Sequence, residues 1–220
     1  NKGMVRENNE DNHIYCSDIS GKTNWEFFHE TETEAHSNRI ILAVADGMGG
    51  LEMGEVASQI AVDTLEKFLS EQAGFLNSAE KKELDKLMET CFAQINNNIL
   101  NHARSIGKKP DLGTTLVVAL SRDNELYVYW TGDSRCYLFR NNSLYPVSKD
   151  HSYVQELVDK GKITYEQSFF HPDSNIITQY LGDPLHTPIP ESRQIGLETG
   201  DIVMLCSDGL NGMLQDSEIE

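Results

Sequence analysis

The sequence predicts an α+β fold, with antiparallel sheet in the middle and long helices outside. Two long amphipathic stretches at helical spacing lie together in the first half, and a run of short strand-like segments joined by turn residues follows Pro110. No internal repeat or low-complexity tract interrupts them. The 220 residues suit one ordinary domain with a sizeable buried core, and 39% hydrophobic with 8% aromatic residues exceeds what a disordered acidic chain carries.

Taken in order, residues 12–17 and 39–45 read as strands, the second a continuous apolar run of the kind covered on both faces. Residues 18–38 between them are polar and acidic and include Glu30-Thr31-Glu32-Thr33-Glu34, which predicts a long surface loop or hairpin excursion. Over residues 53–71, Val56, Ala57, Ile60, Ala61, Leu65, Phe68 and Leu69 repeat at helical spacing. A second helix is expected over 79–104, with Leu84, Met88, Cys91, Phe92, Ile95 and Ile99 on its apolar face. Strands are then expected at 114–121, 125–131, 135–140 and 143–147, with turn signals at Arg122-Asp123-Asn124, Gly132-Asp133-Ser134 and Asn141-Asn142. Their short connections predict antiparallel neighbours. Residues 152–161 form a short helix; residues 163–190 read as irregular, because Pro172, Pro184, Pro188 and Pro190 break regular elements; residues 201–207 are the last clear strand.

The charge balance excludes some functions. Eighteen Lys and Arg against 35 Asp and Glu give a net charge of −17, so a nucleic acid or an anionic membrane is not the expected partner, since binding a polyanion needs a cationic face. The longest apolar runs, 40–45 and 116–120, fall far short of the roughly 20 residues of a spanning helix. The start, Asn1-Lys2-Gly3, has neither an initiator Met nor an apolar signal core, so any targeting segment is expected to have been removed or never present. Cys16, Cys91, Cys136 and Cys206 are scattered without a CxxC, which suits reduced core thiols in a cytoplasmic protein better than a disulfide frame.

Three acidic residues stand where apolar strands end and glycine or serine follows: Asp46 in Val44-Ala45-Asp46-Gly47-Met48-Gly49-Gly50, Asp133 in Gly132-Asp133-Ser134-Arg135, and Asp208 in Cys206-Ser207-Asp208-Gly209-Leu210. A carboxylate at the hydrophobic end of a strand is costly unless paired, hydrogen-bonded or bound to a cation. A further pair, Glu10-Asp11, precedes the first strand, and Arg6 lies four residues before Glu10. Each feature alone has a plainer reading. Asp-Gly after a strand is usually a turn, an isolated Arg is usually solvated, and two adjacent acids are ordinary on an acidic surface. Together they describe hard oxygen ligands for Mg²⁺ or Mn²⁺, with a glycine that lets a main-chain carbonyl approach an ion. The seven histidines show no zinc spacing, and no window matches a P-loop, GxGxxG or an EF-hand loop.

The ordered set is Arg6-x-x-x-Glu10-Asp11, Asp46-Gly47-Met48-Gly49-Gly50 with Gly54-Glu55-x-Ala57-Ser58, Gly113-Thr114-Thr115, Gly132-Asp133-Ser134-Arg135, Asp150-His151-Ser152 and Ser207-Asp208-Gly209. It resembles the metal-dependent Ser/Thr protein phosphatases of type 2C, the PPM family, over nearly the whole chain. Met48, where eukaryotic members usually carry His, resembles the bacterial branch. The resemblance implies a four-layer α-β-β-α sandwich of two antiparallel sheets flanked by helices, with a flap at about residues 152–190. It implies two Mn²⁺ or Mg²⁺ ions bridged by Asp46, with Glu10 and the Gly47 carbonyl on one and Asp208 on the other, and a third, weaker ion held by Asp133 with Asp208. Arg6 is then the phosphate contact and Asp11 the residue that orients metal-bound water. Attack by a metal-bridging hydroxide follows from this, with no cysteine nucleophile and no phospho-enzyme.

The family's closing Asp-Asn pair, whose Asp is a further metal ligand, does not occur before Glu220, so the resemblance describes residues 1–220 as one catalytic domain incomplete at its C-terminus. The expected substrates are phosphoserine and phosphothreonine proteins that a Ser/Thr kinase produces, acted on by a cytoplasmic monomer. The missing pair motivates an alternative, a catalytically impaired phosphoprotein-binding regulatory module of the same fold. A metal-dependent phosphodiesterase or nuclease is disfavoured, because no basic cluster stands ready for a polyanion.

Overall fold

A computed structural model describes residues 8–19, 39–49, 53–107 and 112–220. In chain order the elements are β1 (Asp11–Cys16), β2 (Ile40–Gly49), α1 (Met53–Glu71), α2 (Ala73–Leu76), α3 (Lys81–Ser105), β3 (Leu112–Thr114), β4 (Leu116–Arg122), β5 (Glu125–Thr131), β6 (Arg135–Arg140), β7 (Ser143–Pro146), α4 (Tyr153–Asp159), α5 (Tyr165–Phe169), β8 (Glu191–Gly196), β9 (Ile202–Cys206), α6 (Asp208–Asn211) and α7 (Asp216–Ile219). One antiparallel sheet runs β1-β2-β4-β5-β8, with β3 added to the end of β2; a second runs β7-β6-β9. Among the described residues no helix is long and apolar enough to cross a membrane.

Burial explains how the layers stack. In α1, Ala57, Ala61, Leu65 and Leu69 recur every four residues and are all buried. They pack with Leu84, Phe92, Ile95 and Ile99 of α3 against Ile41, Ala43 and Ala45 of β2 and Leu116, Val118 and Leu120 of β4. The alternate residues of β4, Val117 and Ala119, with Val128 and Trp130 of β5, form a second core with Cys136, Leu138 and Val147, and Leu42 and Val44 of β2 pack against it. The first sheet is therefore apolar on both faces, with helices on one and the second sheet on the other. The α3 start is fixed where the Glu83 carboxylate accepts from the Glu80 N–H at 2.8 Å, and His102 and Arg104 in its last turn complement the helix dipole. All four cysteines are free and buried, in keeping with reduced core thiols.

Several expectations change. Gly132-Asp133-Ser134 is not a hairpin turn: β5 pairs with β4 and β8, and β6 pairs with β7 and β9. The segment carries the chain from one sheet to the other, and Gly132 makes the bend at φ +98°, where an added Cβ would lie 2.5 Å from Thr115 Cγ2. The strand expected over 114–121 is two strands, because Thr114 exchanges backbone bonds with Leu181 at 2.9 Å each way. The strand expected to end at Ala45 runs on to Gly49, since Gly47, Met48 and Gly49 pair with Thr114, Gly113 and Leu112. Strand β8, polar and exposed at the sheet edge, has no apolar alternation to announce it, and α5 lies within the region read as irregular. Of the loop expected over 18–38, residues 20–38 lie outside the described residues.

Candidate active site

The functional carboxylates gather at one end of the space between the sheets. Asp46 follows the alternation of Leu42 and Val44, so it faces the second sheet while Ala45 faces the helices. Asp11 is its cross-strand partner in the β1–β2 register. Asp133 lies on the crossing from β5 to β6, and Asp208 opens α6 directly after β9. Asp46 and Asp133 are each only 8% exposed.

The backbone around Asp46 is held from three sides. The Asp46 N–H donates to Thr115 Oγ1 at 3.0 Å, while its carbonyl accepts from Thr115 N and from Thr114 Oγ1, both at 2.9 Å. Thr115 Oγ1 also lies 2.7 Å from Ser134 Oγ, which joins the Asp46 strand to the Asp133 crossing. Next to it, Gly47 N donates to the Glu10 carbonyl at 3.1 Å, and that carbonyl accepts from Ser58 Oγ of α1 at 2.6 Å. Only glycine fits at 47, since an added Cβ would lie 2.1 Å from the Gly54 carbonyl oxygen and 2.7 Å from that of Glu10. Glu10 is brought to the same place: a Cβ on Gly54 would lie 2.8 Å from Glu10 Cδ. Ser207 Oγ donates to Asp11 Oδ2 at 3.0 Å, which ties the start of β1 to the Asp208 segment.

The electrostatics are those of crowded like charges. Burial first, then the carboxylates of Asp208 and Asp11, hold the Asp46 carboxyl far above the usual carboxylate range, and its carboxyl is within hydrogen-bonding reach of Asp208. Burial, then Asp150 and Asp208, push Asp133 up to about 7. Among the described residues no three His, Cys, Asp or Glu side chains close around one point. The charged neighbours that act on them are Asp208 and Asp11 for Asp46, and Asp150 and Asp208 for Asp133. All the donors are hard oxygens, and their uncompensated negative charge is what a divalent cation would relieve, so the chemistry of the set fits Mg²⁺ or Mn²⁺ and not zinc.

Of the residues singled out in the sequence, Asp11, Asp46, Asp133 and Asp208 are brought together, and Glu10 and Gly47 adjoin them. Arg6 lies outside the described residues. The sequence motifs contained Ser58, Thr114, Thr115, Asp150 and Ser207 but assigned them no task; the hydrogen bonds supply it. Arg135, present in the Gly132-Asp133-Ser134-Arg135 motif with no task assigned, is a further centre. Its Nε and Nη2 grip Asp150 at 2.8 and 2.7 Å, and its Nη1 donates to the hydroxyls of Tyr137 and Tyr165 at 2.8 and 3.0 Å. Beside these groups opens a cleft of about 810 Å³, lined by Asp11, Asp133 and Asp208 together with residues of α5 and α7 and Met213.

Two apolar-cored antiparallel sheets with a carboxylate-lined end define a class of structure that is already solved. The Streptococcus agalactiae serine/threonine phosphatase superposes over 100% of this chain and 81% of its own with a TM-score of 0.82 at 29% identity. The catalytic domain of the serine/threonine phosphatase PstP, solved in complex with two manganese ions, covers 100% of this chain and 79% of its own with a TM-score of 0.74 at 31% identity. The serine/threonine phosphatase stp of Listeria welshimeri is 35% identical over 187 residues, 85% of this chain and 73% of the relative. Residues 27–219 match the family described as Protein phosphatase 2C. The chain belongs to that family.

Proposed function

We propose that this chain is a protein serine/threonine phosphatase that hydrolyses phosphoserine and phosphothreonine with the help of Mn²⁺ or Mg²⁺. The observation that carries the reading is the convergence of Asp46, Asp11, Asp133 and Asp208, from four separate segments, at one end of the inter-sheet space in a member of this family. Asp46, Glu10, the Gly47 carbonyl and Asp208 would hold two cations, and Asp133 with Asp208 would offer a third place. Bound there, the cations supply Lewis acidity that acidifies water and offsets charge on the phosphoryl oxygens.

The chain's own residues position the reaction. Asp11, steadied by Ser207, orients the attacking water; Arg6 binds the phosphate oxygens; the buried floor excludes bulk water. A P–O bond to water forms as the ester P–O bond breaks, and the serine or threonine oxygen leaves with a proton taken from water. Residues 1–220 belong to one catalytic domain, with 152–190 as its flap. The substrates are phosphoproteins made by a Ser/Thr kinase, in the cytoplasm, and the domain is a monomer that binds neither nucleic acid nor membrane. The test is hydrolysis of p-nitrophenyl phosphate and of a phosphothreonine peptide with Mn²⁺ supplied. Activity that Asp46→Asn and Asp208→Asn each abolish supports the reading, and inactivity of the unsubstituted protein on both substrates sinks it.

A further inference from the structure

Two short helices line the same cleft as the acidic floor, and neither is held there by apolar burial. Helix α5 has five residues and α7 has four, and no side chain in either is buried. Segments this small need another anchor to keep one position. That anchor is polar. Tyr165, the first residue of α5, donates from its hydroxyl to Asp216 Oδ2 at 3.0 Å and accepts from Arg135 Nη1 at 3.0 Å. Asp216, the first residue of α7, also accepts from the Tyr137 hydroxyl at 2.8 Å and from Arg135 Nη1 at 3.4 Å. Arg135 is itself fixed, with its side chain 14% exposed and its other nitrogens clamped on Asp150. One largely buried guanidinium therefore ties the second sheet to α7 directly and to α5 through a single hydroxyl. The α5 start adds precision, since Thr164 and Gln167 exchange capping bonds at 3.2 and 2.8 Å that set where Tyr165 emerges.

We propose that Tyr165 is a positioning residue for substrate choice: its hydroxyl latches α5 to Arg135 and Asp216 and so fixes the cleft wall against which the peptide around a phosphorylated residue rests. This builds on the phosphatase reading of the site. A phosphopeptide is long enough to touch both the acidic floor and the α5–α7 wall, whereas p-nitrophenyl phosphate reaches little beyond the floor. Positioning of the wall is thus worth more to the peptide than to the small ester.

Tyr165→Phe keeps the ring and removes only the hydroxyl, on a residue 42% exposed, so the fold tolerates it. Losing a hydrogen bond to a charged group, the variant is expected to lower kcat/KM for a phosphothreonine peptide, relative to that for p-nitrophenyl phosphate, by about tenfold, through KM and not kcat. Amide hydrogen exchange in residues 165–169 should speed up by a similar factor, while α4 keeps its rate. Because Asp216 shares the latch, Tyr165→Phe combined with Asp216→Ala should shift the substrate ratio no further than the larger single effect. Unchanged exchange in α5, an unchanged substrate ratio, a fall in kcat alike for both substrates, or additive effects in the double variant would each overturn the latch. If the unsubstituted protein hydrolyses neither substrate, the phosphatase reading fails and the peptide wall with it; an active parent with an indifferent Tyr165→Phe sinks the latch alone.

Discussion

Asp46 and the groups that hold it decide what this protein can do. Its carboxyl is surrounded by Asp11, Asp208 and Asp133, and its main chain is pinned by Thr114 and Thr115. Thr115→Val keeps the shape but leaves the buried Asp46 N–H without its acceptor, which costs about 1–3 kcal/mol. Activity should fall about tenfold or more, as when outer partners of metal ligands are removed, and a steady-state assay at saturating Mn²⁺ reads it. Gly47→Ala forces a Cβ into the space 2.1 Å from the Gly54 carbonyl oxygen, so β2 and the start of α1 must part. A lower melting temperature with lost activity is the expected outcome, and a fully active, equally stable Gly47→Ala protein would refute the close-packed cradle. At this scale the acids themselves were legible, because Asp between an apolar run and glycine is conspicuous. The tasks of Thr115, Ser134 and Ser207 were not, because a hydroxyl 69 residues from the N–H it accepts from leaves no local trace.

Elements with strong periodicity could be read from the chain, and those whose partners are distant could not. The helical spacing of buried residues marks α1 over its full Met53–Glu71 span, and the compact apolar run marks β5. The pairing of β6 differs from the expected hairpin with β5, because a short connection reads as a hairpin whether the next strand joins the same sheet or crosses to the facing one. Only Gly132, at φ +98° against Thr115, shows the crossing. Strand β8 is held by its edge pairing with β5 and not by an apolar face. Helix α3 carries a large share of the packing: Ile95 is fully buried within the helix-side core, whereas Glu89 on the same helix faces solvent. Ile95→Ala should cost about 2–5 kcal/mol in urea unfolding, and Glu89→Ala close to nothing, about 0.5 kcal/mol at most.

The net charge of −17 has two parts once the molecule is seen whole. Among the described residues most acids are exposed or paired, such as Asp201, which Arg140 grips at 2.8 and 2.6 Å. That hydrogen bond to Arg140, first among its causes, holds the Asp201 carboxyl below its ordinary 3.8, so its contribution to stability is present above that pH and is lost as pH falls through the lower folded value. Replacing Asp201 by Asn should flatten the acid limb of the stability curve below about pH 4. The smaller part is the crowded set between the sheets, and cation binding to it should stabilise the fold by mass action. Mn²⁺ is expected to raise the melting temperature of the unsubstituted protein and to raise that of Asp46→Asn less.

The most direct measurement is release of phosphate from a phosphothreonine peptide by the unsubstituted protein and by Asp46→Asn, each with Mn²⁺ and with excess EDTA. Turnover is expected only for the unsubstituted protein with Mn²⁺, with Asp46→Asn down by about 100-fold or more. Equal turnover with EDTA, or an Asp46→Asn protein as active as its parent, would contradict a cation-assisted phosphatase built on these carboxylates.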